Sequence, residues 1–270
     1  MNTDTVLTEI DNRGVATVTL NRPDKHNAFD DVIIAQLHNA FDELAARSEV
    51  RVVILASTGK SFSAGADLAW MKRMAEYDYE HNLKDAELLA AMLKALHSLP
   101  QPTIAKVQGA AFGGAVGLAS CCDIAIGSQR ASFALSEVKI GLIPATISPY
   151  VIRAIGERAA RRYFTTGERF NAPEAHRLGL LHEVVAEDQL DDAVAAMVET
   201  LLSSAPLAVR AAKELISQVA CRPIDADVIA GSCISIAQIR VSDEGQEGLT
   251  AFLHKREPNW IIDTADKAQE

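Results

Sequence analysis

The run Val52-Val53-Ile54-Leu55-Ala56 is apolar without interruption and bounded by polar residues. That is the pattern of a strand buried on both faces, which needs layers above and below it. Around it, strand-like and helical patterns alternate. Val6–Ile10 and Val15–Leu20 read as a hairpin across the turn cluster Asp11-Asn12-Arg13-Gly14. Asp30 or Asp31 is placed to cap a helix with apolar positions Ile33, Leu37, Phe41 and Leu44. A second helix is predicted over Lys84–Ser98, with Leu88, Met92 and Leu96 on one face, and further strands at Thr103–Val107 and Asp123–Ile126. Alternation of this kind predicts an α/β layered fold.

After Pro206 the pattern becomes almost wholly helical, from Ala208 through Ile239 and again from Glu244 to Lys255. Two regions are therefore expected, a core over 1–200 and a helical region over 201–270. The polar stretch Asp263 to Glu270 is expected to lack structure.

A formal net charge of −10 argues against non-specific nucleic-acid binding, which depends on Lys and Arg neutralising phosphates. A small polyanion held by a local basic cluster remains compatible with it. The four cysteines lack a Cys-x-x-Cys pair, and adjacent Cys121 and Cys122 lie in an apolar run, so buried free thiols in a reducing compartment are expected. The N-terminus has neither a basic head nor an apolar core of a signal peptide, and no apolar stretch has bilayer length. A cytoplasmic protein is expected. The seven histidines form no metal-ligand spacing, so no metal is expected.

Two loops of small residues follow predicted strands. The first is Lys60-Ser61-Phe62-Ser63-Ala64-Gly65-Ala66-Asp67-Leu68; the second runs from Gln108 through Gly109, Gly113 and Gly114 to Gly117. The apolar continuation Leu118-Ala119-Ser120-Cys121-Cys122 fits a buried helix. Gly113-Gly114 then sits at its N-terminus, where N–H groups are unpaired and the dipole favours negative charge. Glycines that only permit tight packing are the alternative. Neither loop fits a dinucleotide or phosphate-loop pattern.

In order and register, these segments resemble the crotonase (enoyl-CoA hydratase/isomerase) superfamily. The resemblance rests on Leu20-Asn21-Arg22-Pro23 with Asn27-Ala28, Phe62 to Asp67, Gly109 to Gly114, Cys122-Asp123, and Phe133 to Glu137 with Gly141-Leu142-Ile143-Pro144. Thr166-Gly167, Ala172-x-Glu174-Ala175, Gly179-Leu180, Glu247-Gly248 and Phe252 to Arg256 extend it over nearly the whole chain. It implies a crotonase-like ββα spiral core with a C-terminal helical region that assembles trimers or dimers of trimers. It also implies an acyl-CoA substrate, with no cofactor beyond the CoA moiety of that substrate.

Carried over by position, the resemblance makes the N–H groups of Ala66 and Gly114 an oxyanion hole for the thioester oxygen. It puts backbone near Ala28, Ala64, Asp67 and Leu68 against the coenzyme, and makes Lys25 and Lys255 candidates for its phosphates. Family hydratases typically use two glutamates. Glu137 stands at the second position; Gly117 stands at the first. Phe133, Leu135, Ile140 and Leu142 are expected to surround Glu137 with apolar groups and raise its pKa, whereas pairing with Lys139 is the structural alternative. Met71, with Trp70, is a candidate wall of the acyl pocket or simply core.

The stretch Ile147-Ser148-Pro149-Tyr150 departs from the family's usual glycine-rich sequence. Together with Gly117 it resembles a bacterial subgroup that hydrates 3-methylglutaconyl-CoA (leucine breakdown) or isohexenylglutaconyl-CoA (acyclic terpene breakdown). Ser148, Tyr150 or Arg153 is then expected to anchor the substrate's own carboxylate. A Δ3,Δ2-enoyl-CoA isomerase working with Glu137 alone, and a non-catalytic acyl-CoA- or RNA-binding relative, are the other readings.

Overall fold

The computed structural model describes residues 5–261. The expected polar tail at 263–270 lies outside them. The chain opens with β1 (Val6–Ile10) and β2 (Val15–Leu20), paired antiparallel. Gly14 closes the turn between them at φ +82°, and a Cβ there would stand 3.3 Å from the Arg51 side chain. The helix α1 (Asp31–Ala45) starts at Asp30, whose carboxylate accepts the Ile33 N–H at 3.1 Å, so the cap is Asp30 rather than Asp31. Ile33, Leu37, Phe41 and Leu44 are all buried, as their spacing predicts.

β3 (Val52–Ser57) lies parallel to β2 and leads through the first small-residue loop into the short helix α2 (Leu68–Met74). Then comes α3 (Tyr79–His97), which begins before Lys84 because Asp78 caps it. Its buried face is Met92, Leu93 and Leu96, while Leu88 is exposed; the sequence reading was off by one position at that end.

β4 (Thr103–Val107) and a three-residue strand β5 (Ala110–Phe112) frame the second loop, and α4 (Gly114–Cys121) follows at once. β6 (Ile124–Ser128) and β7 (Ser132–Ala134) precede the 3-10 turn Ser136–Ile140. α5 (Ser148–Thr166), β8 (Arg169–Asn171), α6 (Ala172–Leu178), β9 (Glu183–Val185) and α7 (Leu190–Leu202) complete the core.

Six strands form one sheet in the order β1-β2-β3-β4-β6-β9, parallel from β2 onward. β5, β7 and β8 form a second, smaller sheet. One core cluster fills the space between the large sheet and α1, α3, α4 and α5; a smaller one packs α7 on the other face through Val194, Val198 and Leu202. This α/β arrangement of mixed sheets is the expected one, but β5, β7 and β8, at three residues each, are too short to show as periodicity.

The helical stretch expected from Ala208 to Ile239 is in fact two helices, α8 (Pro206–Val219) and α9 (Ala226–Val241). Cys221 takes a left-handed conformation (φ +61°) and Pro223 cannot continue a helix. α10 (Asp243–His254) then folds back, its Glu244 carboxylate accepting the N–H groups of Leu207 and Ala208 at the start of α8. No single helix among the described residues is long and apolar enough to cross a membrane.

Candidate active site

The two small-residue loops run side by side and are stitched together. A Cβ at Gly109 would stand 3.1 Å from the carbonyl carbon of Lys60, with the carbonyl oxygen closer still. Ser63 N–H donates to Ala110 O and Phe112 N–H donates to Ser63 O, both at 3.0 Å. Gly65, at φ +87°, brings its backbone so near Phe112 O that a Cβ would stand 2.8 Å away. Here glycine is required twice over, by conformation and by space.

Asn27 holds the first loop from the other side. Its side-chain amide donates to Thr58 O (2.8 Å) and Ser61 O (2.9 Å), and its Oδ1 accepts the Arg22 N–H (2.8 Å). Buried amides of this kind are satisfied only in one backbone arrangement, so Asn27 fixes the loop's path.

Phe29 joins the two loops. Its N–H donates to Gly65 O and its carbonyl accepts from Asp67 N–H, a parallel bridge that leaves the Ala66 N–H pointing the other way. Its buried ring presses on Gly114: a Cβ there would stand 3.1 Å from Phe29 Cε2 and closer still to Cζ. Gly114 opens α4, so its N–H has no partner inside the helix. Among the described residues, neither the Ala66 N–H nor the Gly114 N–H is taken up by an acceptor. One residue thus sets the position of both donors.

Glu137 sits in the 3-10 turn after β7. Gly113 N–H donates to Ala134 O at 2.9 Å, which brings that turn against the start of α4. A Cβ at Gly113 would lie 3.1 Å from Glu137 Oε1, so the carboxyl packs on the residue next to Gly114. Its other oxygen, Oε2, is buried with no hydrogen-bond partner among the described residues. Burial raises the carboxyl's pKa above its ordinary 4.5, with a hydrogen bond from its own N–H partly opposing. Lys139 lies near Glu168 instead and is exposed. Phe133 and Leu135, which precede Glu137, are buried as expected, whereas Ile140 and Leu142 are exposed, which corrects that part of the expectation.

Gly117 faces Ile147. A Cβ at 117 would stand 2.8 Å from Ile147 Cβ, closer still to Cγ2, and 3.6 Å from Leu93 Cδ2. The place of the absent glutamate is therefore filled, by a buried isoleucine. Ser148 directs its hydroxyl to Ala145 O at 2.7 Å. Tyr150 packs on His97 with ring centroids 5.1 Å apart, near Cys121 at the far end of α4 from Gly114. Arg153 borders a cavity of about 830 Å3 with His97, Asp123 and Lys213. The groups expected to anchor a carboxylate thus lie over the first turns of α5 with separate partners: Ala145 O for Ser148, His97 for Tyr150 and the cavity for Arg153.

Of the residues expected around the coenzyme, Ala28 and Asp67 are buried and Ala64 and Leu68 are exposed. Ala64 N–H donates to His26 O, which keeps it beside the turn carrying Lys25. Asp67 caps α2 by accepting from Ala69 N–H (2.7 Å) and Trp70 N–H (3.3 Å), and pairs with Arg22 (3.2 Å) and Lys25 (3.6 Å). Burial alone would raise its pKa, but the two N–H donors and the two cations together hold the carboxyl below its usual value. Met71 is half-buried on α2, whose buried residue is Trp70.

Lys255 ends α10 in a left-handed conformation (φ +55°). The segment after it is tied to the start of β3, where Arg51 donates to Trp260 O, Leu202 O and Ser204 O. Lys25 and the first loop follow the opposite end of that strand, roughly 20 Å away along six residues.

Sequence reasoning missed Asn27 and Phe29 as builders of the site, and named Ile147 only within the altered stretch Ile147–Tyr150, without its contact to Gly117. The dipeptide Asn27-Ala28 carried a signal only through the family resemblance. Phe29 is apolar, and nothing in a pattern separates it from ordinary core; for Ile147 the departure from the family's sequence was the only signal. Among the described residues no group of His, Cys, Asp or Glu is arranged to hold a metal.

Residues 10–262 match the Enoyl-CoA hydratase/isomerase family. The fold is similar to that of an enoyl-CoA hydratase from Shewanella pealeana, with 48% identity, 95% of this chain and 96% of that chain covered, and a TM-score of 0.92. It is similar also to Pseudomonas aeruginosa AtuE, at 33% identity, with 96% and 100% covered and a TM-score of 0.91. The human mitochondrial enoyl-CoA hydratase domain-containing protein 2 is 31% identical over 258 residues, which span 92% of this chain and 86% of that protein. Matches of this extent, over a crotonase fold, identify the chain as a member of the enoyl-CoA hydratase/isomerase family.

Proposed function

We propose that the chain hydrates a branched enoyl-CoA that carries its own carboxylate, with 3-methylglutaconyl-CoA or isohexenylglutaconyl-CoA as substrate. The observation that carries this reading is the single carboxylate at the site: Glu137 packs beside the oxyanion loop, while Ile147 fills the space at Gly117. In this mechanism the thioester oxygen accepts from the N–H groups of Ala66 and Gly114. Water then adds its oxygen to C3 as Glu137 takes one of its protons. The C2=C3 electron pair moves onto the thioester as an enolate, and Glu137 returns the proton to C2. Loss of one such donor costs on the order of 3 kcal/mol in comparable sites.

A carboxylated acyl group fits a site with one glutamate better than a site with two, because like charges in a low-dielectric pocket repel. Ser148 and Tyr150, on the first turn of α5 just after Ile147, are the proposed outer wall of the pocket, and Met71 its facing side. For Ser148 to bind the carboxylate, its hydroxyl must exchange the bond to Ala145 O. The isomerase reading is favoured by the apolar character of Ile147, which offers no second polar group to hold water. There Glu137 alone takes a proton from C2 and returns it at C4.

Mass analysis after incubation with 3-methylglutaconyl-CoA, isohexenylglutaconyl-CoA and a 3-enoyl-CoA separates the readings. A gain of one water supports the hydratase. Unchanged mass with a changed spectrum from the 3-enoyl ester supports the isomerase. Binding without product supports a non-catalytic relative.

The C-terminal helices expose Ile216, Ile229, Ile234, Ile236, Leu249 and Phe252. An apolar surface of that extent favours burial against another copy, and a homotrimer or dimer of trimers is the assembly we propose. In it, Lys255 reaches coenzyme phosphates only from a neighbouring subunit.

A further inference from the structure

Gly117 lies three residues after Gly114, on the same side of α4. Any side chain at 117 would therefore stand beside the proposed oxyanion donor. It has no room, because Ile147 is already there, 2.8 Å from the required Cβ position at its own Cβ and nearer at Cγ2. Ile147 is buried and comes from the segment that carries Glu137, ten residues earlier, whose carbonyl accepts the Leu142 N–H at 3.0 Å. Leu93 of α3 closes the other side. Carboxylate and apolar wall thus reach the start of α4 together, on one stretch of chain.

We propose that Ile147 is a specificity-determining residue: it supplies the one side chain that the space beside α4 admits, and presents an apolar wall that the acyl branch at C3 contacts. Ile147 occupies the space that a Cβ at 117 needs, so a side chain at both positions requires the packing to give way. The proposal rests on the reading of Glu137, Ala66 and Gly114 as the reacting site. It adds that the residue types at 117 and 147 set the preference between branched and unbranched thioesters, with Glu137 left in place.

The test is a set of variants, Gly117→Ala, Ile147→Ala, Ile147→Val and the Gly117→Ala/Ile147→Ala pair, measured in two ways. Thermal unfolding reads the packing relation. Gly117→Ala is expected to lower Tm, and the pair to unfold higher than the sum of the two single shifts requires. Equal Tm for Gly117→Ala and the wild type, or strict additivity, overturns the relation.

Selectivity reads the functional part, from kcat/KM for 3-methylglutaconyl-CoA against crotonyl-CoA. Ile147→Ala is expected to cost the branched ester at least ~10-fold relative to the unbranched one, the scale of a lost methylene contact in an apolar pocket. Ile147→Val is expected to keep the wild-type ratio within a few-fold. An equal fall for both esters, or an unchanged ratio, shows a purely structural role and overturns the proposal. Competitive binding of the same two esters to the Glu137→Gln protein reads the preference without turnover. If Glu137→Gln keeps full activity while positions 117 and 147 remain coupled, the site assignment fails and the packing relation stands.

Discussion

The ring of Phe29 lies against Gly114, and the main chain of the same phenylalanine flanks Ala66 through hydrogen bonds to Gly65 and Asp67. Two N–H groups from loops nearly fifty residues apart are set by one side chain and its backbone. Gly114→Ala drives a methyl group into that ring. It is expected to lower kcat by about 10²–10³-fold, the scale of losing one oxyanion donor. Steady-state kinetics checks this, with acyl-CoA binding measured separately to show that the fold survives. Phe29→Ala is expected to cost about 3–5 kcal/mol of stability by denaturant unfolding, as for a fully buried aromatic.

Asp67 joins the helix cap of α2 to the cations Arg22 and Lys25. Its carboxyl titrates below its ordinary 3.8, so the ionised form is favoured in the fold. The stability it contributes is complete above that ordinary value and is lost as pH falls toward the lowered native one. Asp67→Ala is expected to cost about 1–2 kcal/mol at pH 7 from the cap alone. The difference from wild type is expected to shrink as pH falls below 3.8 and to lose its charge-dependent part only below the lowered native value, where both proteins carry a neutral group at 67. Urea unfolding at several pH values measures it.

Much of the site was legible because glycine and small residues mark places where backbone must approach backbone. Gly65 proves to be such a place, against Phe112 O, whereas Gly113 and Gly114 are pressed by side chains, the Glu137 carboxyl and the Phe29 ring. Glu137 was legible through the family motif, and its raised pKa follows from the burial of its carboxyl. What could not be read is the pairing of distant apolar residues. Ile147 and Gly117 are thirty residues apart, and only the packing of α4 on α5 shows that one fills the other's space. The break between α8 and α9 was within reach, since Pro223 stands in it. The helical periodicity on either side hid it.

The thiols separate into two classes. Cys121 and Cys122 are buried at the end of α4, and burial pushes the Cys121 thiol well up and the Cys122 thiol up to about 12. Cys221, in the break between α8 and α9, and Cys233, on α9, are exposed, against the expectation of uniformly buried thiols. A Cys221→Ser/Cys233→Ser variant is therefore expected to show no reaction with Ellman's reagent when native at pH 8. Two thiols are expected to react once it is unfolded. Rapid reaction of the native variant contradicts the burial of the α4 pair.

Glu137 is the centre of the account, and Glu137→Gln tests it most directly. The substitution keeps shape and removes the base, so turnover of the hydrated or isomerised thioester is expected to fall at least ~100-fold with acyl-CoA binding retained. In the wild type, the acid limb of kcat/KM is expected above pH 4.5, because the buried carboxyl holds its proton more tightly than a solvated glutamate. A Glu137→Gln protein that turns over substrate at near the wild-type rate contradicts the assignment outright.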